Sequence, residues 1–173
     1  MGRYRPPRPQ GTALITAAGE ARLRTELQAL WREERPTVAA AVQEAAKNGD
    51  RSENGDYIYG KKRLREIDSR VRFLSKRLEV LQVVQELPAN QERVFFGATV
   101  TVSDDDTGER RLRIVGPDEF DPTRQEISID SPLARALLGK SEGELVRVAT
   151  PTGEREFELL AVHYASAADS AGS

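Results

Sequence analysis

Asn48-Gly49-Asp50-Arg51-Ser52-Glu53-Asn54-Gly55-Asp56-Tyr57 separates two stretches of helical periodicity. After it, Leu64, Ile67, Val71, Leu74, Leu78 and Leu81 alternate steps of three and four without a miss, with Lys, Arg, Glu and Asp between them. That is an a/d seam. Before it, Leu23, Leu27 and Leu30 recur at the same spacing, and Val38, Ala41, Val42 and Ala45 carry the stripe on. Asn48-Gly49 is a stop signal for the first helix. Two such helices joined by a short turn make an antiparallel coiled coil with its tip at 48–54. Pro36 should bend the first helix or interrupt one of its hydrogen bonds. The second helix is expected over about 52–86, ended by Pro88. About 30 residues per helix give an arm of roughly 45 Å. The stripe shrinks to alanine toward the tip, so the two helices can approach closely there.

Beyond Pro88 the pattern changes class. Val94-Phe95-Phe96-Gly97-Ala98-Thr99-Val100-Thr101-Val102 is rich in strand formers, and Asp104-Asp105-Asp106-Thr107-Gly108 follows as a turn. Arg111-Leu112-Arg113-Ile114-Val115 alternates like a half-buried strand, and Glu126-Ile127-Ser128-Ile129-Asp130 forms another. Ser131 and Pro132 suit the cap and first residue of a short helix closed by Gly139. Two more strands flank the Pro151-Thr152-Gly153 turn. Four or five strands and one short helix make a small α+β domain. The predicted organisation is a disordered basic extension at 1–12, a coiled-coil arm at 13–88, an α+β domain at 89–165 and a disordered tail at 166–173.

Bulk properties narrow the function. Charged residues are 31% and hydrophobic ones 38% of the 173, polar for one compact globule and suited to an extended shape. There is no apolar run of about 18 residues, so no membrane span is expected. The basic start lacks an apolar core and is not a secretory signal. The absence of cysteine excludes disulfides and thiolate metal sites. The single histidine, His163, leaves little for a histidine-based triad and reads as structural or surface. A cytoplasmic protein is expected. Up to Ala89 there are 17 Lys+Arg and 12 Asp+Glu; from Asn90 onward there are 9 and 16. A basic half and an acidic half suggest two modules with different partners.

Three constellations carry chemistry. Asp50 and Glu53 stand three apart, and Asp-x-x-Glu before an apolar-periodic run is a helix-capping pattern. The same pair suits Mg²⁺, which is held by one or two carboxylates with water and phosphate completing the octahedron. Two carboxylates on a bare tip do not make a private cage. They suffice to complete a site that another macromolecule half provides, as in two-metal phosphoryl chemistry. The two readings are compatible, because a cap also fixes where carboxylates point. Second, Lys61, Lys62, Arg63 and Arg65 open a basic run that Arg70, Arg72, Lys76 and Arg77 continue. A solvated flank explains the later members, and those nearest the tip suit phosphates. Tyr57 and Tyr59 suit either base stacking or packing across the seam. Third, residues 128–140 (SIDSPLARALLGK) place a polar loop beside a short helix, a protein-docking pattern.

These motifs resemble a known family. Gly49-Asp50-Arg51-Ser52-Glu53-Asn54 with Tyr57 is similar to the tip of the bacterial Gre transcript-cleavage factors. Leu30 through Pro36 (LWREERP), Lys61 through Asp68 (KKRLREID) and Ile127 through Lys140 (ISIDSPLARALLGK) resemble the GreB branch. The similarity runs from about Leu14 to Tyr164. It implies an arm that enters the secondary channel of a backtracked RNA polymerase, where Asp50 and Glu53 help hold the second catalytic Mg²⁺ and its water. The polymerase then cuts its own transcript and resumes elongation, the factor having no nuclease activity alone and no metal when isolated. Lys61, Lys62, Arg63 and Arg65 match a patch associated with the nascent RNA 3′ end. The C-terminal domain is implied to be FKBP-like, docking at the channel rim through Asp130, Ser131 and Pro132. A monomer is expected. Gly55 stands where the family has alanine, a change that weakens the first turn of the second helix by about 1 kcal/mol. Two other functions fit the same outline: a relative that occupies the channel and inhibits, and a chaperone or prolyl isomerase. Intact tip acids argue against the first. The second needs an aromatic-lined pocket, for which the C-terminal half has only Phe95, Phe96, Phe120, Phe157 and Tyr164.

Overall fold

The computed structural model describes residues 10–49 and 53–165. The basic extension expected at 1–12 lies outside the described residues except for its last three, and so does the tail expected at 166–173. The chain divides into two compact units, one running from Ala18 to Leu81 and one combining residues up to Ala17 with those from Gln82 onward.

The first unit is a helical hairpin. Its first limb comprises α1 (Ala17–Ala29), a five-residue π-helical turn (Leu30–Glu34) and α2 (Arg35–Ala46); its second is α3 (Gly55–Val80). Pro36 explains the π turn. A proline inside a helix has no N–H for the carbonyl four residues back, and its ring crowds that carbonyl. The chain widens by one residue just ahead of it, and the Arg35 N–H reaches back to the Leu30 carbonyl. The Thr37 hydroxyl donates to the Glu33 carbonyl at 2.9 Å. The limb therefore carries on through the proline as helix.

The seam follows the sequence pattern. Ile67, Leu74 and Leu81 are buried, with Leu64, Val71 and Leu78 half-buried between them. Leu23, Leu30, Val42 and Ala45 are buried on the other limb; Ala41, at the edge of that stripe, is exposed. Close approach near the tip depends on α3 as much as on the alanines. Gly60 is buried, and a Cβ there would lie 2.4 Å from Val42 Cγ2. Outside the seam, three arginines bridge the limbs. Arg70 grips Glu26 through two bonds of 2.8 and 2.9 Å, Arg35 reaches Asp68 at 2.8 Å, and Arg63 reaches Glu34 at 2.6 Å. All are substantially solvated, so water screens them and each adds little by itself.

The second helix ends earlier than its periodicity predicts. It stops at Val80 rather than near residue 86, because the main chain that follows is taken by another partner. Gln82–Val83 (β2) pairs in parallel with Leu14–Ile15 (β1). The Gln82 and Val84 amides donate to the Ala13 and Ile15 carbonyls, both at 2.9 Å. This ladder draws 13–17 and 82–88, assigned to the arm on sequence, into the second unit. Further bonds hold the N-terminal segment down. The buried Glu119 carboxylate accepts from the Thr16 and Gly116 amides, each at 2.9 Å, and from the Thr16 hydroxyl. Gly116 has no room for a side chain: a Cβ would sit 2.0 Å from the Leu14 carbonyl oxygen.

The second unit is a curled mixed sheet with strands β3 (Thr99–Asp104), β4 (Gly108–Val115), β5 (Glu126–Ser128), β6 (Leu145–Thr150) and β7 (Gly153–His163). Their order is β5-β4-β3-β7-β6, antiparallel except for the β4–β5 pair. Alternating Val100 and Val102 on β3 and Val146 and Val148 on β6 face one core with Ile114, Phe157 and Leu159. The short helix α4 (Pro132–Leu137) closes that core with Ala134 and Leu137. The strand expected from residue 94 begins only at Thr99. Ahead of it there is only an isolated antiparallel bridge of Arg93 with Ser141, carried by the Val94 amide on the Lys140 carbonyl, and it goes no further because the Phe95 amide donates to the Tyr164 hydroxyl. Tyr164 also donates to the Arg93 carbonyl at 2.6 Å, and burial pushes its phenol pKa up. Among the described residues, no helix is long and apolar enough to cross a membrane.

Candidate functional site

The hairpin tip is built by two helix ends that lack partners for their last backbone groups. At the end of α2, the Asn48 amide returns to the Ala45 carbonyl at 3.1 Å, and Gly49 turns the chain at φ +106°. That left-handed geometry favours glycine. At the start of α3, Asn54 is the N-cap, its side-chain oxygen accepting from the Tyr57 amide at 3.2 Å. The same amide group donates from Nδ2 to the Ala45 carbonyl at 2.8 Å, across the hairpin.

This corrects the capping interpretation of Asp50 and Glu53. The helix starts at Gly55, so the cap and its third helical residue are Asn54 and Tyr57, not the two acids. Glu53 is exposed and makes no hydrogen bond or ion pair among the described residues. Asp50 lies outside the described residues. Asp56, in the first turn of α3, is exposed and favourably placed against the positive end of the helix dipole. Ala45, Asn48, Glu53, Asn54, Gly55 and Asp56 line a shallow hollow at the tip. Its carboxylate oxygens are the hard donors that suit Mg²⁺. Solvated carboxylates of this kind fit a shared ion better than a closed cage.

The basic group divides. Lys61, Lys62 and Arg65 are exposed. Lys61 Nζ lies 5.9 Å from the Tyr57 ring centroid, a cation–π contact. Arg63 is half-buried instead, bonded to Glu34 at 2.6 Å and to Glu66 at 3.2 Å. Those bonds, Glu34's first, hold its guanidinium pKa above the ordinary arginine value. Arg63 is thus a strut between the limbs. Tyr57 is half-buried and Tyr59 is exposed, so only the second has a free face.

The sheet unit carries the other candidate residues. Ser131 caps α4, its hydroxyl accepting from the Ala134 amide at 3.3 Å, and Pro132 is the exposed first residue of that helix. Asp130 is clasped from the N-terminal side: its carboxylate accepts from the Thr12 amide at 2.9 Å and from the Thr12 hydroxyl. Sequence reasoning did not connect Thr12 or Asn54 to these positions, since neither belongs to a charge or hydropathy pattern. His163 is exposed at the end of β7, opposite Thr99.

Comparison with known proteins also divides the chain in two, with β1 and β2 falling in the N-terminal match. The family described as "Transcription elongation factor, N-terminal" matches residues 13–83, and "Transcription elongation factor, GreA/GreB, C-term" matches residues 89–164. Transcription elongation factor GreB of Pseudomonas aeruginosa is 61% identical over 95% of this chain and 98% of its own length. The protein of the same name from Xanthomonas axonopodis is 54% identical over 96% and 99%. Among solved structures, GreA factor homolog 1 of Thermus thermophilus is 29% identical over 87% of this chain and 98% of its own, with a TM-score of 0.39. Matched through both halves and aligned along nearly its whole length with GreB proteins, the chain belongs to the GreA/GreB family of transcription elongation factors.

Proposed function

We propose that this chain acts on backtracked bacterial RNA polymerase, entering the secondary channel with its hairpin and stimulating the polymerase's own cleavage of the nascent transcript. The observation that carries this reading is the tip itself. Asn54 does the capping, which leaves Glu53 solvated and without a structural duty. An exposed carboxylate with no partner among the described residues is available to a site supplied from outside. Bound Mg²⁺ would activate water and stabilise the leaving oxygen in such a reaction. The chain's part is to present Asp50 and Glu53 as oxygen ligands and to hold them at a set depth on a stiff hairpin. Lys61, Lys62 and Arg65 neutralise phosphates of the extruded RNA 3′ end. Arg63 contributes to that patch only through the stiffness of the hairpin. Asp130, Ser131 and Pro132 dock at the channel rim, with Thr12 fixing the Asp130 rotamer. The factor adds ligands to an existing catalyst and has no nuclease activity of its own.

The test is cleavage of labelled nascent RNA in a stalled, backtracked polymerase complex. Wild type is expected to yield shortened transcripts that resume synthesis. The Asp50→Ala/Glu53→Ala variant is expected to bind polymerase normally and lose at least about tenfold in stimulation, as loss of metal-site groups generally does. Blocked synthesis without cleavage by wild type would replace this reading with that of a channel-occupying inhibitor.

A further inference from the structure

One side chain joins the two limbs of the hairpin beside Glu53. The Asn54 amide accepts from the Tyr57 N–H through Oδ1 and donates to the Ala45 carbonyl through Nδ2. The first bond starts α3; the second ties that start to the last turn of α2. Asn54 is half-buried, whereas Glu53, Gly55 and Asp56 around it are exposed. The Ala45 carbonyl also takes the Asn48 amide at 3.1 Å, so both ends of the loop converge on one oxygen. Capping alone does not account for an amide here. Aspartate and serine cap as well as asparagine does, but a carboxylate has no N–H to donate and a hydroxyl is too short to span the hairpin.

We propose that Asn54 is a positioning residue for Glu53 beside it: its bridge to Ala45 fixes the start of α3 against the end of α2, so that the Glu53 carboxylate meets the polymerase-bound ion already in place. This rests on the transcript-cleavage reading above. Without the bridge the two limbs still pack along their seam, but the start of α3 is no longer tied to the end of α2, and the adjoining Glu53 is less often in place. Preorganised ligands bind more tightly because less order is lost on binding.

Two variants separate this role from capping. Asn54→Ser and Asn54→Asp keep the cap acceptor and lose the donor to Ala45; serine does so without adding charge. Each is compared with wild type in stimulated cleavage across a Mg²⁺ titration, alongside competition binding to polymerase and thermal unfolding of the free factor. The expected result is unchanged polymerase affinity and thermal stability close to wild type. The Mg²⁺ needed for half-maximal stimulation by Asn54→Ser is expected to rise about fivefold, the scale of one lost hydrogen bond. A Mg²⁺ profile identical to wild type for Asn54→Ser would overturn the positioning role and leave a cap only. Failure of wild type to stimulate at any Mg²⁺ concentration would instead overturn the cleavage reading, and this inference with it.

Discussion

The hairpin and the sheet unit solve the same problem in different geometries. The hairpin buries apolar residues along a line, with Ile67 and Leu74 facing one other helix and water close on both sides. The sheet unit buries them around a centre, where Ile114, Leu137 and Leu159 are enclosed by strands and a helix. A line can be long and thin, but each of its residues has few walls. A centre has walls on every side and resists local change. The hairpin supplements its seam with arginine bridges and a shape-matched glycine, and the sheet unit supplements its core with the Glu119 and Asp130 clasps and the crowded Gly116.

Truncating one leucine in each unit tests this directly. Leu159 and Leu74 are both fully buried. Leu159→Ala should cost about 4 kcal/mol, because strands on both sides cannot close the void; Leu74→Ala should cost nearer to about 2 kcal/mol, because two helices can settle toward each other. Hydrogen exchange resolved by unit would measure each. Equal losses would break the comparison.

Acid provides a smaller contrast. Asp68 is held below its ordinary carboxylate range chiefly by the hydrogen bond from Arg35. Asp104 is held down chiefly by the Thr107 amide, with Arg155 adding to the effect. A lowered folded pKa means stability that is present above the unfolded value and lost as pH falls through the folded one. Both units should therefore weaken below about pH 4. The sheet unit should weaken more, since the Asp104 side chain is 3% exposed and that of Asp68 is 41%. Thermal unfolding at about pH 3 and pH 6, with Trp31 fluorescence reporting the hairpin, should show the acid loss reduced by Asp68→Asn in the hairpin alone. The same loss in Asp68→Asn as in wild type would remove the carboxylate from the account.

The smallest effect concerns Gly55. A Cβ added there would have nothing within 4 Å, so an alanine meets no obstacle. Gly55→Ala should stabilise the start of α3 by about 1 kcal/mol, visible as slower amide exchange in its first turn and no change in the sheet unit. No slowing would mean that the Asn54 bridge already holds that turn.

Much of the hairpin was legible because helical order is local. Leu64 through Leu81 repeat at a spacing that one helix face imposes, and Ser131-Pro132 is a cap that needs only its own neighbours. The N-cap of α3 was less legible. Asp-x-x-Glu and Asn54 offer competing caps within five residues, and the outcome depends on a carbonyl nine positions earlier in the chain. The basic patch posed a similar difficulty: Arg63 carries the same charge as Lys61, Lys62 and Arg65, and only the opposite limb distinguishes it.

The amino-acid sequence by itself determined that there are two helices with a tip between them, a sheet domain after them, and acids at the tip, because periodicity and turn chemistry act over a few residues. The tertiary structure alone decided which unit the residues flanking the helices belong to, which arginine becomes a strut, and which side chain ties the tip together. Those outcomes depend on pairings such as Leu14 with Gln82 and Thr12 with Asp130. Such partners are distant in the chain, and a two-residue strand or a single hydroxyl has no period by which to announce them.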